Sequence, residues 1–386
     1  MSVTAPAGFR AAGVAAGIKA SGGPDVALVV NDGPSDAAAA VFTRNQVQAA
    51  PVLWSRQVLA DGRLRAVVLN SGGANACTGP GGFQDTHATA ERVAELLECG
   101  AISVAVCSTG LIGERLPMSA LLCGVDAASA ALATGEVAGL TAATAVLTTD
   151  TVPKQAVVTS PAGWSVGGFA KGSGMVAPSL ATMLCVLTTD ARADASTLDG
   201  VLRGATARTF ERLDIDGSAS TNDTVLLMAS GASAVAPGAD EFAAAVQQVC
   251  HDLVRGLQAD AEGVTKEIAI TVRGAGSEAD ALTVARAVAR DSLVKTAFFG
   301  SDPNWGRIAA AVGASAAHVR ADVLDVRING VLLCSGGAAA GDRTAADLSG
   351  REITVEVDLN LGAADAAVLT TDLSHGYVEE NSAYSS

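Results

Sequence analysis

The sequence predicts an α/β protein rich in antiparallel sheet, in place of a doubly wound parallel one. Three observations carry that expectation. Short β-rich runs alternate with amphipathic stretches, two β runs flank the turn residues Pro161-Ala162-Gly163, and the last sixty residues read as purely β.

The elements follow in order. Asp25 to Val30 (DVALVV) and Leu64 to Asn70 (LRAVVLN) are apolar, β-branched runs of strand length, and Asp85 to Cys99 has helical spacing. ISVAVCSTG is the next strand and Pro117 to Leu132 the next helix. KQAVVTSPAGWSVGGFA predicts a hairpin, followed by a Gly-rich stretch and the strand MLCVLTTD. Three helices are expected at Ala195 to Leu213, Asp240 to Ala261 and Ser277 to Ser292, separated by strands TNDTVLLM and KEIAITVRG; DVLDVRING and REITVEVDL are later strands. The string VLTTD ends at Asp150, Asp190 and Asp372, and each copy is expected to mark a strand leaving its sheet. No Pro- or Ser-rich linker marks a domain boundary.

The 386 residues allow two ordinary domains or one large α/β unit. With 49% apolar and 17% charged residues, disorder is excluded as the main theme. The mean hydropathy is positive, but the longest uncharged run, Gly172 to Thr189, begins GSGMVAP and contains Pro178. A spanning helix needs about 20 predominantly apolar residues, so no membrane segment is expected. The first 25 residues carry only Arg10 and Lys19 as basic groups and show no export signal. A net charge of −15 without a basic block argues against nucleic acid and for a small-molecule ligand. Seven cysteines without a CxxC fit a reducing, cytoplasmic setting.

Several motifs fail in context. Gly163-Trp164-Ser165-Val166-Gly167 has the nucleophile-elbow pattern, yet a β run follows where a helix is required. Gly172 to Ala177 fits a loose dinucleotide pattern, but Pro178 sits where the helix should start. His87, His251, His318 and His375 lack zinc spacing, and Asp214-Ile215-Asp216-Gly217 lacks the later ligands of a calcium loop, so no metal is expected.

The stretch from Lys171 to Leu184 remains. A Thr hydroxyl is a poor nucleophile without an adjoining base, and the base built into the residue is its own α-amino group, which exists only after the chain is cut. That group titrates near ~8, so cleavage between Ala181 and Thr182 would create nucleophile and base together. A Gly-Pro loop feeding a buried strand is the alternative, and the spacing leaves both open.

Long strings in order resemble the ornithine acetyltransferase (glutamate N-acetyltransferase) family of arginine biosynthesis. They are GFRAAGVAAGIK, NSGGANACTG, STGLIGE, TTDTVPKQ, KGSGMVAPSLATML, STNDTVL, EGVTKEI, VKTAFFGSDPNWGRI and YVEENSAYSS. The resemblance implies a layered α-β-β-α sandwich with two stacked sheets, self-cleaved into co-folded chains, 1–181 and 182–386. It implies a heterotetramer of two α and two β chains.

By the same resemblance Thr182 is the nucleophile, Thr109 and Gly110 form the oxyanion hole, and Thr148, Lys171, Thr182, Glu262, Asn381 and Ser386 bind substrate. The implied reaction is ping-pong transfer of acetyl from N-acetylornithine to glutamate. It needs no cofactor; whether acetyl-CoA serves as a second donor, adding acetylglutamate synthase activity, stays open. A self-processing aminopeptidase or amidohydrolase that passes the acyl group to water is the enzymatic alternative, and an uncut binding protein is the other. Gly73, Asp214 and Ser386 depart from the usual Asn, neutral residue and Thr of the family.

Overall fold

The computed structural model describes residues 2–177 and 183–383. The chain divides into two compact units, one of Met1–Glu211 with Ser218–Leu257 and one of Arg212–Gly217 with Gln258–Ser385.

The first unit contains β1 (Phe9–Val14), β2 (Val26–Asn31), β3 (Ala37–Phe42), α1 (Ala50–Val58), β4 (Ala66–Ser71), α2 (Gly79–Leu96), β5 (Val104–Thr109), α3 (Met118–Ala130) and α4 (Glu136–Ala145). It continues with β6 (Lys154–Thr159), β7 (Ser165–Lys171), β8 (Leu184–Thr189), α5 (Ala195–Arg208), β9 (Thr224–Ala229) and α6 (Ala239–Ala259), whose last turn passes the unit's boundary. One sheet has the order β1-β2-β4-β5, antiparallel except for β4 against β5. The other has the order β3-β9-β8-β7-β6, antiparallel except for β8 against β9.

Every residue of β2, β4, β5, β8 and β9 is buried. That is why these strands read as continuous apolar runs instead of alternating: neither face meets water. A single apolar core takes Leu28, Val68 and Val106 from one sheet, Phe169, Val186 and Leu226 from the other, and Val93, Val125 and Ala142 from α2, α3 and α4.

The second unit carries β10 (Glu267–Ala275), α7 (Glu278–Arg290), α8 (Ser292–Phe299), α9 (Trp305–Ala314), β11 (Asp325–Ile328), β12 (Val331–Ser335), β13 (Ala338–Ala339), β14 (Glu352–Asp358), β15 (Ala364–Thr371) and α10 (His375–Ala383). Its sheet has the order β13-β12-β11-β14-β10-β15. β10 and β14 alternate buried with more exposed residues along most of their length, the pattern of a sheet covered on one face. Val284, Val288, Phe298 and Ile308 of α7, α8 and α9 pack on Ile268, Ile270 and Val355.

Three expectations need correction. The described residues form three mixed sheets, not two, because the carboxyl-terminal strands build a sheet of their own. The last sixty residues are not purely β: α10 follows β15, and its sequence HGYVEENSA has no apolar periodicity to announce it and buries no residue. Asp150 does not end a strand either. It lies between α4 and β6, whereas Asp190 and Asp372 do follow β8 and β15. What the three copies share is a carboxylate that accepts from backbone N–H groups: Gly172 and Thr148 for Asp150, Ala7 and Ser165 for Asp190, Thr265 and Lys266 for Asp372.

Among the described residues no helix is long and apolar enough to cross a membrane. Cys107, Cys185, Cys250 and Cys334 are buried, while Cys77 and Cys123 are exposed. Ser165, at the would-be elbow, lies in β7 with its N–H on Asp190 at 2.7 Å. Asp214, in the would-be calcium loop, accepts from Arg290 Nε at 2.7 Å and from Gly217 N–H at 3.1 Å.

Candidate active site

Lys171, the last residue of β7, is 1% exposed. Its Nζ donates to Thr148 Oγ1 at 2.8 Å and to Thr109 Oγ1 at 3.2 Å. Three residues singled out from the sequence, separated by up to 62 positions, therefore meet at one buried point in the first unit.

Asp150 holds that point together. Its Oδ1 accepts from Lys154 Nζ and Gly172 N–H, both at 2.6 Å, and its Oδ2 lies 3.7 Å from Lys171 Nζ. Burial alone would raise its pKa, but Lys171, Lys154 and the Gly172 N–H outweigh burial and hold the carboxyl at about 2. Two ammonium groups thus share one carboxylate, which leaves the cluster positive and suited to a substrate carboxylate. Lys19 adds to this field. Burial pushes its pKa down, Asp25 opposes, and Lys171 lowers it further.

The end of β5 presents the proposed oxyanion donors. Thr109 accepts from Lys171, so its own hydroxyl proton is left to donate elsewhere. Gly110 follows with φ +127°, and a Cβ there would lie 2.5 Å from Gly73 N, so only glycine fits. Its N–H has no acceptor among the described residues. Gly73 N–H bonds to Thr109 O at 3.0 Å and Ala74 N–H to Leu111 O at 2.9 Å, which straps loop 72–74 across this turn. Asn222 locks the strap by donating to Ala74 O at 2.6 Å and Ser108 O at 2.8 Å. At Gly73 a Cβ would lie 2.7 Å from Leu116 Cδ2, so the Asn usual in the family would require Leu116 to move.

In the second unit, Asn381 Nδ2 on α10 donates to Glu262 Oε2 at 2.8 Å. The turn holding Glu262 lies directly on α10: Gly263 has φ +61°, and a Cβ on it would stand 2.0 Å from Tyr377 N. This corner is acidic. Burial and then the charge of Glu262 raise the pKa of Glu380, with Asp260 and Glu379 adding to it. A carboxylate cluster of this kind suits a cationic amine.

Thr109, Thr148 and Lys171 are brought together in one unit, and Glu262 and Asn381 in the other. Ala181, Thr182 and Ser386 lie outside the described residues. Sequence reasoning missed Asp150 and Lys154, although both stand in the string TTDTVPKQ. A charged pair four residues apart reads as a solvated surface until its burial is known. A groove of about 940 Å³ between β3 and α5 contains none of the expected site residues.

A family model described as the ArgJ family matches residues 10–386. An arginine biosynthesis bifunctional protein ArgJ of Mycolicibacterium paratuberculosis is 63% identical over 100% of this chain and 96% of its own length. The protein of the same name from Thermobifida fusca is 60% identical over 100% of both. Among solved structures, ornithine acetyltransferase of Mycobacterium tuberculosis complexed with ornithine is 67% identical, covering 46% of this chain and 95% of that one, with a TM-score of 0.46. With matches that run the length of the chain, the protein described above belongs to the ArgJ family.

Proposed function

We propose that this chain is a glutamate N-acetyltransferase that cuts itself between Ala181 and Thr182 and carries acetyl from N2-acetyl-L-ornithine to L-glutamate as an ester on Thr182. The observation that supports it most is the convergence of Lys171, Thr109 and Thr148, with Leu184, two residues after Thr182, as the register partner of Lys171. The relatives' role in arginine biosynthesis fits the same substrates.

In this reading the Thr182 amine takes the hydroxyl proton, and the oxygen attacks the acetyl carbonyl. Negative charge then develops on the carbonyl oxygen, where the Thr109 hydroxyl and the Gly110 N–H stabilise it. Lys171 and Thr148 hold the α-carboxylate of either amino acid. The resemblance makes Glu262, Asn381 and Ser386 substrate contacts as well, and the carboxylate of Glu262 suits the charged amine of ornithine. Ornithine leaves, and the amine of glutamate takes the acetyl group from the ester, which must be kept from water. Acetyl-CoA as a second donor would fit the word bifunctional in the relatives' names.

β8 lies between β7 and β9, so the strand that opens the second fragment has a partner from each fragment. This favours chains 1–181 and 182–386 as co-folded pieces of an α-β-β-α sandwich; the heterotetramer is carried by the family resemblance alone, and the cytoplasmic setting by the cysteine usage of the sequence. Intact mass and amino-terminal sequencing test the reading. Two fragments, the second beginning Thr-Met-Leu-Cys, are expected, with equimolar ornithine and N-acetylglutamate in the assay. Thr182→Ala should stay whole and inactive. An uncut chain with full turnover overturns the mechanism, and acetate in place of N-acetylglutamate makes the chain a hydrolase.

A further inference from the structure

Asp223, between the STN turn and β9, is 0% exposed. Its Oδ1 accepts the N–H of Met183 at 3.1 Å, and its Oδ2 has no hydrogen-bond partner among the described residues. An unpartnered carboxyl oxygen at full burial is costly unless the group is neutral or has work to do. Met183 N is covalently bonded to the carbonyl carbon of Thr182, so the chain puts this group within a residue of the proposed cleavage point.

We propose that Asp223 serves the self-cleavage at Ala181–Thr182: it holds the amide that follows Thr182 and relays the proton that must pass from the threonine hydroxyl to the leaving nitrogen. The proposal rests on the self-cleavage reading above. The Thr182 Oγ1 attacks the carbonyl carbon of Ala181, forming the O–C bond. The C–N bond breaks and its electron pair stays on nitrogen, which takes the proton of Asp223 Oδ2. The carboxylate left behind receives the proton released by Oγ1. Water then hydrolyses the ester, leaving the Ala181 carboxylate, the Thr182 hydroxyl and the new amine, with Asp223 restored.

The surroundings favour the protonated form of this acid. Burial pushes the Asp223 carboxyl well above the usual carboxylate range, against the Met183 N–H, the hydroxyls of Ser220 and Thr43, and the charge of Lys171 at the end of β7. Those two hydroxyls come near the carboxyl without closing a hydrogen bond to Oδ2.

The test follows the uncut full-length chain after cell-free synthesis, by intact mass, for wild type, Asp223→Asn and Thr182→Ala. Asn keeps the shape and an acceptor for Met183 N–H but has no acid proton. Asp223→Asn is expected to cut at least ~100-fold more slowly while melting with the Thr182→Ala control. Wild-type cutting should slow as pH rises through the raised pKa of Asp223. If Asp223→Asn cuts at the wild-type rate, the relay is wrong and self-cleavage stands. If wild type never cuts, the cleavage reading itself fails. Should Asp223→Asn not fold, the wild-type profile decides: a rate that climbs steadily with pH overturns the relay.

Discussion

Replacing Asp150 with Asn tests how the site is held together. Asp150 is buried between Lys154 and Lys171, and its carboxyl is lowered from 3.8 to about 2. At 1.36 kcal/mol per pKa unit that difference corresponds to about 2 kcal/mol of folding free energy. The folded value lies below the unfolded one, so this contribution is fully present above the unfolded pKa, near 4, and is lost as pH falls through about 2. The substitution itself costs more. It leaves two buried ammonium groups without their carboxylate, and breaking a buried ionic pair typically costs about 3–5 kcal/mol. Urea unfolding at pH 7 should show Asp150→Asn destabilised by that amount. The gap to wild type should narrow by about 2 kcal/mol between pH 5 and pH 2. Adding Lys154→Met should recover at least ~1 kcal/mol relative to the sum of the single changes, since the two groups touch. A loss under ~1 kcal/mol at pH 7, or a gap that ignores pH, would refute Asp150 as the ionic centre of the cluster.

Two further outcomes follow from the end of β5. Thr109→Ala should lower kcat by ~10²–10³ while the melting temperature changes little, the usual effect of losing one oxyanion donor; unchanged turnover removes Thr109 from that role. Gly110→Ala places a Cβ 2.5 Å from Gly73 N at φ +127°, so it should destabilise the chain by ~2 kcal/mol or more and lower turnover with it. Wild-type melting and turnover in that variant would show that the strap over Thr109 yields freely.

Local pattern served well where an element's own face carries the signal. The runs at Val26–Asn31, Ala66–Ser71 and Val104–Thr109 are strands, and Pro161-Ala162-Gly163 joins β6 to β7 with Gly163 at φ +89°. It failed where neighbours decide. β3 is AAAAVF, a helix-forming composition, and becomes a strand because β9 pairs along its whole length. α1 begins at Ala50-Pro51 and is held by Trp54 Nε1 on Val104 O and Ser55 Oγ on Val106 O, both partners some fifty residues away.

The site divides the same way. Thr109, Gly110, Thr148 and Lys171 enter as candidates through the family resemblance of the strings that hold them; by residue type alone a lysine such as Lys171 reads as a solvated loop residue. Tertiary structure alone decided that Lys171 bonds two threonines from distant segments, that Asp150 is buried between two lysines, and that Asp223 grips the amide after Thr182. The physical reason is burial: charge and hydroxyl gain their strength from the water excluded around them, and a sequence lists donors and acceptors without stating which of them meet.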